Sequence, residues 1–215
     1  MAPIPNRIIL NDVRLDRVSL AKPYQGRPDL KTGKLADPKW HVDCIFDENH
    51  PQLPAITQQI IDAVNRKFLT DPTAALEQIK ANNKLPLHRG NIDRAGKPQY
   101  ANKLFISANA NLENPPNVVA TENGVNISTQ DTPIVLVPAN PKFPYAGCYA
   151  NVALEFFGYD TNGSKGVSAK VIAVQFLRHG EALRGSSVMA ATEFGVVASD
   201  ADGPAPTAAP RTSLL

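Results

Sequence analysis

The sequence predicts a mainly β chain with a helix inserted among its strands, and three observations carry that prediction. Apolar residues alternate in short runs along most of the chain, as half-buried strands require. One stretch, around residues 51–82, switches instead to helical spacing. Pro, Gly and Asn cluster between the runs, so the strands end in turns and loops.

The first strand signal is IILNDVRLDRVSL, Ile8 to Leu20. Val13 and Leu15 share one face, whereas Val18 and Leu20 fall on the opposite parity. A slip of one residue is what a β-bulge produces, and long bent first strands suit a small closed barrel. Ala21 to Pro38, AKPYQGRPDLKTGKLADP, reads as a long loop. KWHVDCIF then alternates, with Trp40, Val42, Cys44 and Phe46 on one face. Ile56, Ile60, Val64 and Phe68 are spaced by four, with Ile61 beside them, which predicts an amphipathic helix from about Pro54 to Leu69. Asp71-Pro72-Thr73 breaks it, and Thr73 to Ala81 suits a second short helix.

Asn82 to Asn102 is a further polar, basic loop. In KLFISANA, Leu104, Ile106 and Ala108 face one way while Lys103 and Phe105 face the other. Shorter strands are predicted at Pro116 to Ala120, Gly124 to Ile127 and Pro133 to Val137, and longer ones at Gly147 to Tyr159 and Val167 to Leu177. Asp160-Thr161-Asn162-Gly163 joins the last two as a hairpin. This element count matches an α+β, OB-fold-like antiparallel barrel of five strands with extra strands and a helical insertion. Residues 1–197 read as that domain, and Ala198 to Leu215, rich in Ala and Pro, as a flexible tail. No internal repeat is evident.

A chain of 215 residues, 43% hydrophobic and 20% charged, suits one soluble domain with a sizeable core. It contains no apolar run long enough to span a membrane and no secretory leader pattern. Cys44 and Cys148 each fall on a strand's apolar face, where buried free thiols are the simplest reading. The net charge is only +2, yet residues 1–105 hold 16 Lys/Arg against 11 Asp/Glu, while residues 106–215 hold 6 against 9. Seven basic residues lie between Arg14 and Lys39, with three acids. Such a stripe points to a local anionic partner or to a solvated loop.

Catalytic and cofactor signatures are missing: no phosphate loop, dinucleotide fingerprint, nucleophile elbow, HExxH or paired CxxC occurs. His41 and Cys44 fall on opposite faces of one strand and would not converge on a metal. No enzyme, cofactor or metal site is therefore expected. The positive signal is a conjunction of basic loops and rings on the face of strands that should meet water. Cys148, Ala150, Val152, Leu154 and Phe156 form an apolar set, while the alternate set carries Tyr149, Phe157 and Tyr159. Phe105 follows Lys103, and Tyr24 lies between Lys22 and Arg27. Single-stranded nucleic acid needs cations for its phosphates and rings for its bases, with stacking worth roughly 1–3 kcal/mol per base. The plainer reading is that such rings pack under the helix.

YAGCYANVALEFFGYD, Tyr145 to Asp160, and GSKGVSAKVIAVQFLRHGEALRG, Gly163 to Gly185, together with KPQYANKLFISANA, Lys97 to Ala110, resemble a family of phage-encoded single-stranded DNA-binding proteins. Tyr-x-Gly-Cys-Tyr, Lys-Gly-Val-Ser and Gln-x-x-Arg-x-Gly-Glu-x-Leu are specific in combination. The match covers residues 97–185 well, while the N-terminal part agrees in element order. The resemblance implies an OB-fold that coats single-stranded DNA in phage replication and recombination, in the cytoplasm of the infected bacterial host, without cofactor or turnover. It also implies contacts with replication or recombination proteins through the C-terminal tail. The tail departs from the acidic pattern of related proteins, with only Asp200 and Asp202, offset in part by Arg211, before Leu214-Leu215.

The expected DNA contacts are Arg14, Arg17, Lys22, Arg27, Lys31, Lys34 and Lys103 for phosphates, with Tyr24, Phe105, Tyr149, Phe157 and Tyr159 for bases. A structural or assembly protein that uses the same barrel to hold another protein is the alternative, and a nuclease is a weaker third. Oligomeric state is left open by the sequence.

Overall fold

The computed structural model describes residues 7–26, 28, 33, 35–130, 135–161 and 163–183. Arg27, Lys31, Lys34 and the tail Ala198–Leu215 lie outside the described residues.

The barrel is built by strands β1 (Arg7–Tyr24), β2 (Lys39–Asp47), β4 (Lys103–Asn111), β7 (Tyr149–Thr161) and β8 (Ser164–Arg178). Strand β1 pairs antiparallel with both β2 and β7, β2 pairs with β4, and β7 pairs with β8. A short parallel pairing of β4 with β8, at Ala108↔Ala169, closes the ring. Five strands closed in this order, with one parallel junction, are the OB-type barrel the sequence predicts. Strand β3 (Leu87–Arg89) extends the sheet beyond β4, and the hairpin of β5 (Asn117–Glu122) and β6 (Val125–Ser128) extends it beyond β8. Of the predicted strand Pro133 to Val137, only Val135 is seen to pair, through an isolated bridge to Ser128, and residues 131–134 lie outside the described set.

Strand β1 serves two partners because it bends. Its N-terminal half, from Arg7 to Arg14, pairs with β7, and its C-terminal half, from Arg14 to Tyr24, pairs with β2. Register shifts fall between Leu10 and Val13 and between Asp16 and Ser19. Asp12 and Arg17, at φ 53° and 49°, supply the extra residues. That change of parity is visible in the sequence, and it lets Leu10, Val13, Leu15 and Leu20 all enter the core.

The interior is filled by the predicted alternating sets: Val42, Cys44 and Phe46 from β2, Leu104, Ile106, Ala108 and Ala110 from β4, and Ala150, Val152, Leu154 and Phe156 from β7. Cys44 and Cys148 are both buried and free. Helix α1 (Leu53–Lys67) carries Pro54 in its first turn, where the missing N–H costs nothing, and buries Ile56, Ile60, Ala63 and Val64 in the same core. Helix α2 (Pro72–Ala81) begins where the Asp71 carboxylate accepts from the Ala74 N–H at 2.9 Å, and it buries Ala75 and Ile79.

The stretch read as a polar loop is ordered. After β3 it forms a single turn of helix, α3 (Gly90–Asp93), and a 3₁₀ turn at Pro98–Tyr100. This strap lies across the outer face of β2 and β4, where Tyr100 and Phe105 join Ile45 in a small second core. Gly90 makes the crossing possible, since a Cβ there would stand 2.0 Å from the Tyr100 carbonyl oxygen.

Candidate nucleic-acid interface

Strands β1, β2 and β4 present to the outside a ladder of polar cross-strand partners: Asp16 opposite Asp43, Asp43 opposite Ser107, and His41 opposite Asn109. Such a face would ordinarily meet water. Here the strap covers part of it, and its side chains donate to both buried acids. The Asp43 carboxylate accepts from the Tyr100 hydroxyl at 2.8 Å, from the Ser107 hydroxyl at 2.5 Å and from an Arg94 guanidinium nitrogen at 3.3 Å. His41 Nε2 lies 3.0 Å from the same carboxylate, and its Nδ1 lies 2.8 Å from the Asn109 side-chain oxygen. Asp16 accepts from the Arg17 N–H at 2.6 Å and from the Gln99 amide at 3.1 Å.

Burial alone would raise the Asp43 pKa. His41, Ser107 and Tyr100 outweigh it and hold the carboxyl well below the usual range. The Tyr100 hydroxyl is pushed up, first by burial and then by Asp43 and Asp16. It remains a proton donor, which is the role the geometry gives it.

Beside this network an open cleft of about 470 Å³ runs between the bent half of β1 and the strap. Arg17 and Tyr24 line it from β1, His41 from β2, and Arg94 and Lys97 from the strap. Tyr24 is 45% exposed. A cleft lined by three cations and an accessible ring, on the outer face of a barrel, has the chemistry to hold a phosphodiester chain and an unpaired base.

A family model described as Enterobacter phage Enc34, ssDNA-binding protein, matches residues 6–204. The chain belongs to this family. A relative, protein p50 of Acyrthosiphon pisum secondary endosymbiont phage 1, is 41% identical over 183 residues, covering 85% of this chain and 91% of its own. Among solved structures, the single-stranded DNA-binding protein of bacteriophage Enc34 in complex with ssDNA superposes with a TM-score of 0.63. It is 17% identical, with 85% of this chain and 96% of that chain covered. A second structure of the Enc34 protein gives a TM-score of 0.61 at 16% identity, covering 90% and 96%. At that identity the likeness establishes the fold.

The residues singled out in the sequence are not gathered into one site. Arg17 and Tyr24 reach the cleft, and Lys22 is exposed on the same strand. Arg14 is partly covered and donates to the Glu181 carbonyl at 3.0 Å. Lys103 is engaged by Asp47. Phe105 requires a correction. It is 1% exposed, edge-on to Tyr100 at 4.9 Å and stacked with His88 at 5.0 Å, so it seats the strap and has no face for a base.

Tyr149 lies under the Arg178 guanidinium, 3.7 Å from ring centre to Cζ, and Arg178 also binds Asp12. Phe157 and Tyr159 are eight and ten residues further along β7, roughly 26–33 Å away along the strand. Phe157 is 44% exposed. Tyr159 lies across its partner Gly166, where a Cβ would come within 2.3 Å of the ring.

Sequence reasoning missed Arg94, Lys97 and His41 as lining residues. For Arg94 and Lys97 the available signal was the basic loop between residues 82 and 102, but without hydrophobic period nothing in it says which sheet face it crosses.

Proposed function

We propose that this protein binds single-stranded DNA as a non-enzymatic coat during phage replication and recombination, in the cytoplasm of the infected bacterial host. The observation that carries this reading is the basic cleft at the bend of β1, with Arg17, Arg94, Lys97 and the accessible Tyr24 on the outer face of an OB-type barrel. Membership of a family described by its single-stranded DNA-binding member supports it. Phosphates are held by cations of β1, of the following loop and of the cleft, and bases stack on exposed rings, so affinity needs no base-specific hydrogen bonds. Phe157 and Tyr159, on the β7–β8 hairpin, offer a second stacking surface for the same strand. Replication or recombination proteins that contact the tail at 198–215 belong to this reading.

The test is fluorescence anisotropy of a labelled oligo-dT at several salt concentrations, with matched duplex and excess magnesium as controls. Six phosphate contacts give a slope of about −4 against log salt, from roughly −0.7 per contact. Binding with no salt dependence would remove the electrostatic half of the proposal. Magnesium-dependent loss of the oligonucleotide would turn the reading towards a nuclease.

A further inference from the structure

The strap carries two cations that the basic stripe of β1 does not account for. Resting on the single-stranded DNA reading, we propose that Arg94 and Lys97 form a phosphate clamp with Arg17. The clamp holds one backbone phosphate across the cleft while the adjoining base lies against Tyr24, and Asp43 is the positioning residue that aims Arg94.

The three cations reach one cleft from two elements that are remote in sequence. A turn sets two of them side by side: the Lys97 N–H donates to the Arg94 carbonyl at 3.1 Å, with Gly96 at φ 79° between them. Lys97 is exposed. Arg94 is held on three sides, by Asp43 at 3.3 Å, by the Asp93 carbonyl at 3.3 Å and by the Phe105 ring, whose centre is 4.9 Å from Cζ. A free arginine loses rotamer entropy when it closes on a phosphate, and one already fixed loses less. Asp43 has no exposed surface and contacts two residues of the cleft lining, Arg94 and His41. Buried Asp43 pairs with Arg94 and so offsets part of the charge beside the cleft, while Arg17 and exposed Lys97 have no ion-pair partner among the described contacts. The volume of about 470 Å³ falls in the range of sites that enclose a small ligand, ample for one nucleotide unit.

The experiment is the oligo-dT salt titration on the full chain, repeated for Lys97→Ala, Lys97→Glu, Arg94→Ala, Tyr24→Ala, Asp43→Asn and the Asp43→Asn/Arg94→Ala double variant. Thermal unfolding of each sets the assay temperature. Lys97→Ala is expected to flatten the salt slope by about 0.7 at an unchanged melting temperature, and Lys97→Glu to flatten it further. Tyr24→Ala is expected to weaken binding about 5- to 150-fold at an unchanged slope, the signature of stacking. Asp43→Asn is expected to weaken binding, with the double variant no weaker than Arg94→Ala alone, since Asp43 acts through that side chain.

A wild-type slope and affinity in both Lys97 variants would overturn the clamp while leaving single-stranded DNA binding intact. Additive losses from Asp43 and Arg94 would overturn the positioning role. A wild-type protein that ignores the oligonucleotide would remove the reading beneath both.

Discussion

Asp16 and Asp43 stand directly opposite each other in the β1–β2 register, and neither has any surface open to solvent. Two carboxylates so placed on a bare sheet would repel each other and lose their hydration. The strap resolves the conflict by bringing Tyr100, Gln99 and Arg94 as donors, while Ser107 and His41 approach from within the sheet. The same contacts that satisfy the acids therefore fix the wall of the basic cleft. Fold stability and site geometry are joined at this point.

Replacing Tyr100 by Phe keeps the ring in the small core with Ile45 and Phe105 and removes only the hydroxyl. One donor to a fully buried carboxylate is then lost, which should cost roughly 1–3 kcal/mol. Urea denaturation at neutral pH, with an unchanged m-value, is the measurement. A midpoint equal to wild type would show that water replaces the hydroxyl.

The network also predicts an acid limb of stability. The Asp43 carboxyl is lowered in the folded state, so the stability it contributes is fully present above the unfolded-state value of about 3.9 and is lost as pH falls below that. Urea midpoints of the wild type should therefore drop steeply below about pH 4. In Asp43→Asn the protein should begin less stable and show a shallower drop over the same window. Parallel curves would place the acid sensitivity elsewhere.

The thiols give a test of the core itself. Burial pushes the Cys148 thiol up to about 11, and burial with the neighbouring Asp43 charge pushes Cys44 up as well. Mass spectrometry after iodoacetamide treatment at about pH 8 should find both unmodified in the native protein and both modified in denaturant. Rapid native labelling of either would mean that the barrel opens locally.

Phe157 and Phe105 should behave oppositely when each is changed to Ala. Phe157 is half-exposed, so its loss should leave the melting temperature nearly unchanged and weaken oligo-dT binding by roughly 1–3 kcal/mol. Phe105 is sealed under the strap, so its loss should destabilise by roughly 3–5 kcal/mol. Paired melting and anisotropy curves separate the two, and a Phe157→Ala protein that unfolds would make that ring a packing residue.

Alternation and spacing made the barrel readable in the sequence. The parity change between Leu15 and Val18 announced the bend of β1, and the four-residue spacing from Ile56 to Phe68 announced a helix close to the observed Leu53–Lys67. Period tells which face a residue takes but not what lies over that face. Phe105 has the outward parity its strand pattern predicts, yet the strap, whose apolar residues follow no period, closes over it with Tyr100. Asp16 and Asp43 were hidden for the same reason: an acid on the outward parity of a strand ordinarily belongs to water. The site was legible as a composition, basic with rings, and its walls became definite only through a tertiary crossing.

The double pairing of β1 has a consequence for synthesis. Arg7 and Glu155, which bond across β1 and β7, are separated by 148 residues. At roughly 5–20 residues per second, a ribosome needs about 7–30 s to make that stretch. Throughout that interval the edge of β1 that pairs with β7 is open. A nascent chain that ends before Tyr149 can pair β1 with β2 and β2 with β4, but it cannot close the ring.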